Sequence, residues 1–249
     1  MAKPGPDRTR RAGRTRRAGR TTGAGLIGAV VIGVAGTAAL LALGDWQLRR
    51  LHWKEGVLAE MDARIAAAPV DLPADPDPAR DRYLAVAVTG HFTGTPVRVQ
   101  SALEGAGPGY RIEQAFETGA RRLIVERGFV PQSAPLPEPP GGEVEIAGNL
   151  IWPDEVDSFT PAPDMATGLF YARDLPALAA ELGTEPVLLV RRDGPEGGGA
   201  LLTAPVGTAG IPNDHLEYAI TWFSMAAVWL VMSAYLIYRM RKQDEGETT

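Results

Sequence analysis

Cysteine is absent from all 249 residues. That excludes disulfide support, thiol redox chemistry, thiolate copper delivery and iron–sulfur ligation. Histidine is scarce, with only His52, His91 and His215. The chain has no His-Glu-x-x-His zinc motif, no Gly-x-Ser-x-Gly elbow and no dinucleotide fingerprint. Ser101, Ser133 and Ser158 lack the context of a nucleophile, and no Lys-Ser/Thr follows the Gly-rich run at 194–199. Asp154, Glu155 and Asp157 beside Trp152 read as a solvated acidic turn. The expectation is a protein that is not an enzyme.

Charge is missing from two long runs. Thr21–Gly44 holds 24 uncharged residues, and Tyr218–Tyr238 is a second uncharged run. About 20 helical residues cross the roughly 30 Å hydrocarbon layer. The second run carries Trp222, Phe223, Trp229, Tyr235 and Tyr238, with aromatic residues at both ends, as membrane interfaces favour. Two transmembrane helices are therefore expected. Basic residues flank both runs, eight before the first and Arg239, Arg241 and Lys242 after the second. Positive flanks stay in the cytoplasm, which places both termini inside.

The expected organisation is a basic disordered cytoplasmic arm (1–20), transmembrane helix 1 (21–44), an extracytoplasmic domain (45–217), transmembrane helix 2 (218–238) and a cytoplasmic tail (239–249). The arm repeats Thr-Arg-Arg-Ala-Gly-Arg twice between Thr9 and Arg20. It reads as a contact for anionic lipid, with no nucleic acid as partner. Subtracting the arm from the overall charge of −5 leaves the outer segment strongly acidic.

Residues 45–67 continue helix 1, and Pro69, Pro73, Pro76 and Pro78 form a linker. Strands follow at Tyr83–Gly90, Val97–Gln100, Tyr110–Glu117, Arg121–Phe129, Glu143–Leu150 and Pro186–Arg192. The third and fourth form a hairpin. Leu175–Leu182 reads as a short helix, with Asp174 as cap, Pro176 in the first turn and Gly183 as stop. The fold class is a membrane protein, a two-helix transmembrane hairpin flanking a mostly antiparallel β (α+β) domain. The strands leave sheet and barrel equally open.

His52 and His215 both fall near the outer ends of the two spans. Two imidazoles there can ligate a metal porphyrin, or can simply hydrogen-bond head groups and backbone. His215, Tyr218, Trp222, Met225, Trp229 and Met232 follow spacings of 3 and 4. Such a stripe suits a flat macrocycle, and equally helix or lipid packing. Trp46, Arg49, Arg50 and Trp53 lie at the same depth, where arginine can pair with carboxylates or snorkel to phosphates.

Gly44-Asp-Trp-Gln-Leu-Arg-Arg-Leu-His-Trp-Lys resembles the opening motif of the Surfeit locus 1 family of cytochrome c oxidase assembly factors. Val88-Thr-Gly-His-Phe, Gly109-Tyr-Arg-Ile and Leu123-Ile-Val-Glu-Arg-Gly-Phe-Val-Pro follow in the family's order. So do Gly142-Glu-Val-Glu-Ile-Ala-Gly, Phe170-Tyr-Ala-Arg-Asp-Leu-Pro-Ala-Leu-Ala and Asn213-Asp-His-Leu-Glu-Tyr-Ala-Ile-Thr-Trp-Phe.

The resemblance implies a multi-pass protein of the bacterial inner membrane with its main domain in the periplasm. It implies haem a as cofactor, with cytochrome c oxidase subunit I, haem A synthase and membrane lipid as partners. The family's haem-linked histidine maps onto His215, in Asn-x-His-x-x-Tyr. Tyr218 and Trp222 follow it, and the Trp and Arg of the first motif map onto Trp46 and Arg49 or Arg50. His52 is a candidate second ligand. The Arg-Gly-Phe-Val-Pro block is expected to make a structural turn. The alternative is a cofactor-free membrane scaffold that stabilises an oxidase assembly intermediate.

Overall fold

The computed structural model describes residues 23–192 and 201–246. The basic arm at 1–20 and the Gly-rich run at 194–199 lie outside the described residues. The chain forms two compact units, one of the terminal segments up to Trp53 and from Asn213, the other of Lys54–Pro212.

The first unit is a helix pair. Helix α1 (Gly23–Ala66) runs unbroken through the expected span and its extension. Nothing in it interrupts the backbone ladder, and it ends three residues before Pro69. The last helix, α4 (His215–Gly246), starts three residues earlier than the uncharged run. Both are long and apolar enough to cross a membrane, and only 6% of each apolar window is buried within the protein.

Small residues let the two helices approach. Gly33 lies against Ser233, Gly36 under the indole of Trp229 and Gly44 under the ring of Phe223. Trp229 Nε1–H donates to the Gly33 carbonyl at 3.2 Å. Glycine in a helix interior costs about 1 kcal/mol. Here it admits an aromatic ring at backbone distance, the arrangement that drives helix pairing where no hydrophobic effect operates.

Among the described residues, the second unit holds a mixed sheet of seven strands. These are β1 (Val70–Asp71), β2 (Ala85–Leu103), β3 (Gly107–Thr118), β4 (Arg121–Pro131), β5 (Val144–Ile151), β6 (Leu169–Phe170) and β7 (Leu188–Arg191). Helix α2 (Pro78–Asp81) precedes β2, and α3 (Leu175–Leu182) precedes β7. The pairing β2–β3–β4–β7–β5 returns to β2, so the sheet closes on itself. Closure removes most free edges.

Several sequence expectations change. The strands expected at 83–90 and 97–100 are one bent strand, β2. Its register shifts between Thr93 and Val97, where Gly94 takes φ 66°. Residues 85–90 pair with β5, and from His91 onward, on both sides of the bend, the strand pairs with β3. Tyr83 is not strand, because its φ is 68°. The Pro-rich linker contains β1 and a helical turn capped by Asp77. The sheet is mixed, since β1–β2, β2–β6 and β4–β7 are parallel.

The Arg-Gly-Phe block is no turn. It is a bulge inside β4, where Ile112 faces Gly128 and Glu113 faces Glu126, leaving Arg127 extra. Gly128 has φ 144°, and a Cβ there would sit 2.6 Å from the Leu202 carbonyl oxygen.

Among the described residues two large apolar clusters, with a smaller one of Ile112, Val130 and Leu201, hold this unit. Helix α3 buries Leu175, Leu178 and Leu182 against Val97, Val99, Ile124 and Leu188. The alternate positions of the strands, Val86, Phe116, Leu123, Val125, Ile146 and Leu189, form the other. Asp174 accepts from the Ala177 N–H at 3.3 Å and Gly183 has φ 64°, the cap and stop read from the sequence.

Candidate functional site

His215 is the first residue of α4 and is half-buried. Its Nδ1 lies 2.8 Å from Oε1 of Gln47 on α1. Gln47 is only 8% exposed. An amide oxygen only accepts, so Nδ1 carries the proton and the lone pair of the neutral ring is on Nε2. Nε2 makes no hydrogen bond to the described residues. The site is thus a tethered imidazole with one free donor nitrogen.

Helix geometry places the other candidate residues. At 100° per residue, Trp46, Arg50 and Trp53 fall within about 60° of each other on α1, and Tyr218, Trp222 and Met225 within about 60° on α4. The packing contacts fix how these flanks relate. Trp229 lies on the flank of Tyr218 and Met225 and covers Gly36, and Phe223 lies on the other flank and covers Gly44. In an antiparallel pair this puts Trp46, Arg50 and Trp53 on the same side as Tyr218, Trp222 and Met225. Arg50 stacks over the Trp53 ring at 4.0 Å.

Other candidates are not brought together. His52 is exposed and sits about 140° around α1 from Gln47, away from His215. Arg49 is exposed and paired with Asp45 at 2.8 Å. Within the aromatic stripe, Tyr218, Met225 and Met232 are exposed, 56%, 40% and 64% respectively. The helix-facing positions are Ala219, Phe223, Ala226 and Ser233, with Trp222 half-buried beside them. Below His215, an open apolar groove of about 580 Å³ runs along Leu40, Ile220, Thr221, Met225, Trp229 and Met232.

The sheet unit holds a group that the sequence analysis does not single out. Glu113 and Glu126 face each other across β3 and β4, both without solvent exposure. Arg111 is ion-paired to Glu126. Arg173 donates to Glu126 at 3.2 Å and, through Nε, to Glu155 at 3.0 Å. Glu155 is therefore more than part of a solvated turn. Burial opposes its ionisation, but the hydrogen bonds and charge of Arg173 together hold its carboxyl below the usual range. Arg111, Glu126 and Arg173 each lie in one of the family-like blocks and Glu155 in the acidic cluster, but nothing in the sequence joined them, and Glu113 lies in none of these.

Burial, reinforced by the negative charge of Glu126, pushes the Glu113 carboxyl well above the usual range. A folded-state pKa raised above the unfolded value makes folding less favourable as pH rises past the ordinary glutamate range. Glu113→Gln keeps the neutral shape without that dependence. The variant is expected to be more stable than wild type at pH 8 and equal to it near pH 4. Urea unfolding at both pH values checks this, and a pH-independent difference contradicts it.

Two apolar helices, encoded on either side of a closed sheet and each long enough to span a bilayer, suggest membrane association, and His215 is tethered near one end of the pair. The chain belongs to the SURF1 family, whose family model matches residues 34–227. It is 30% identical over 232 residues to Surfeit locus protein 1 of Rattus norvegicus, covering 81% of this chain and 72% of the relative. It is 29% identical to Surfeit locus protein 1 of Homo sapiens, covering 74% of this chain and 69% of the relative. The SURF1-like protein of Drosophila melanogaster is 30% identical, with 81% and 74% covered. The matched range includes Gln47, His215 and the carboxyl cluster.

Proposed function

We propose that this protein is an assembly factor for a haem-copper terminal oxidase, holding haem a on its helix pair and aiding its insertion into subunit I. The observation that carries the reading is His215, fixed through Nδ1 by a buried glutamine and left with a free Nε2. A metal held by one imidazole needs its remaining ligands from elsewhere, and a porphyrin supplies four. The surroundings fit that group. Trp222, Tyr218 and Met225 offer an apolar flank on the same side as Trp46, and Arg50 supplies a cation for a propionate. Bound haem would supply the iron that Nε2 ligates. The chain contributes the donor, the apolar wall and the counter-charge. Arg49 is the weaker cation, being already paired with Asp45. His52 would need a rotation of α1 to serve as second ligand.

In this reading both helices span the bacterial inner membrane. The basic residues at 1–20 and after Tyr238 keep both termini in the cytoplasm, and the sheet unit is periplasmic. Haem A synthase donates the haem, subunit I receives it, and the protein acts as a binding factor rather than an enzyme. Residence must be short, which suits a single strong ligand. The test is whether the protein made together with haem A synthase purifies with haem, and whether His215→Ala removes it.

One observation favours the cofactor-free scaffold. Asp157 and Thr160 hold a tight turn through hydrogen bonds of 2.8–2.9 Å that presents Phe159, 89% exposed. An aromatic ring held so firmly in water suits a protein partner. This reading predicts a colourless protein that still co-purifies with subunit I.

A further inference from the structure

We propose that Gln47 is a positioning residue that sets the protonation and aim of the His215 ring, so that Nε2 is presented as a lone-pair donor. The inference deepens the haem reading and rests on it for the identity of the ligand.

The geometry is that of a second-layer partner of a metal-binding histidine. Such histidines commonly donate their other ring N–H to an oxygen, which fixes tautomer and orientation and raises ligand basicity. Here the oxygen belongs to an amide that is itself held. Gln47 sits on the face of α1 that packs against α4, one turn from Gly44, which lies under Phe223. A long polar side chain on such a face would ordinarily cost stability unless its hydrogen bonds are met. Its oxygen is met by one atom, His215 Nδ1, at 2.8 Å.

A histidine side chain in water exchanges between its two tautomers with the Nε2–H form in excess, and on its helix end His215 would rotate among rotamers. Gln47 removes both freedoms. The nitrogen that can bind iron becomes the one remote from Gln47. The pairing also links the two helices across 168 residues of sequence, so the donor forms only when the helix pair does. The pair is then a condition for ligand binding as well as a membrane anchor.

The experiment uses the full chain in lipid nanodiscs, labelled with 15N-histidine, as wild type, Gln47→Leu and Gln47→Glu. Nitrogen chemical shifts read the tautomer without any ligand. A separate titration with iron protoporphyrin IX reads affinity. Wild type is expected to show His215 as the Nδ1–H tautomer. Gln47→Leu loses that preference and binds the porphyrin roughly 10- to 100-fold more weakly. Gln47→Glu keeps an acceptor at the same reach and retains both properties. A tautomer and an affinity unchanged in Gln47→Leu overturn the proposal. A tautomer that depends on Gln47 in a wild-type protein that binds no porphyrin upholds the positioning role and overturns the haem reading.

Discussion

Glu126→Ala is expected to destabilise the sheet unit by about 3–5 kcal/mol, the cost of breaking a buried ion pair from one side. Glu126 has no solvent exposure and answers two guanidinium groups, Arg111 and Arg173, whose side chains are 20% and 16% exposed. Removing it leaves Arg111 without its carboxylate and Arg173 with Glu155 alone, both with little water. One neighbour can limit the damage. Glu113 is kept neutral by burial first and by the charge of Glu126 second, while Arg173 and Arg111 favour its ionised form. With Glu126 gone, Glu113 can ionise and take its place. The double variant Glu113→Gln/Glu126→Ala is therefore expected to lose more than Glu126→Ala, although Glu113→Gln alone stabilises at pH 8. That change of sign marks a coupled pair. Urea unfolding of the full chain, with hydrogen exchange read on β3 and β4, measures it. Simple additivity of the two substitutions contradicts the account.

The helix pair should be equally intolerant. Gly36→Leu places its Cβ where Trp229 now lies, 2.4 Å from Nε1, and Gly44→Val meets the Phe223 ring at 2.6 Å. Overpacking costs typically 1–3 kcal/mol, and a helix pair with few other contacts has little to set against it. Because the chain has no cysteine, an introduced pair reports the approach without background. The Cβ built on Gly33 lies 3.0 Å from that of Ser233, so Gly33→Cys with Ser233→Cys should oxidise once the helices part to the roughly 3.5–4.5 Å of a disulfide. Adding Gly36→Leu should abolish the cross-link. Phe223→Ala should restore the cross-link lost through Gly44→Val, by opening space for the new side chain. Cross-linking that is indifferent to these glycines means that the helices pair some other way.

What the sequence disclosed, and what it hid, follows from the range of the interactions. The two helices stand out because an uncharged run of 24 residues needs no partner to interpret. Their mutual packing does not, because glycine contributes by having no side chain. The aromatic spacing of α4 pointed to one stripe, yet Tyr218, Met225 and Met232 recur every seven residues. A seven-residue repeat drifts by about 20° per repeat on a straight helix. The packing face runs instead through Ala219, Phe223, Ala226 and Ser233. In the sheet unit, Arg111 and Glu113 alternate along β3 like residues of a solvent face. Yet Glu113 is fully buried and Arg111 half-buried, and Arg111 donates to the Ala204 carbonyl, 93 residues away. His215 was legible through the Asn-x-His-x-x-Tyr motif. Its partner Gln47 lies within the first motif but carried no signal, since a lone glutamine acquires a role only through what it touches.

The most direct measurement is the visible absorption spectrum of the protein purified from cells that also make haem A synthase. The account predicts a bound haem a spectrum in wild type, with the haem lost in His215→Ala and retained in His52→Ala. A wild-type protein without haem, or a spectrum unchanged by His215→Ala, contradicts it.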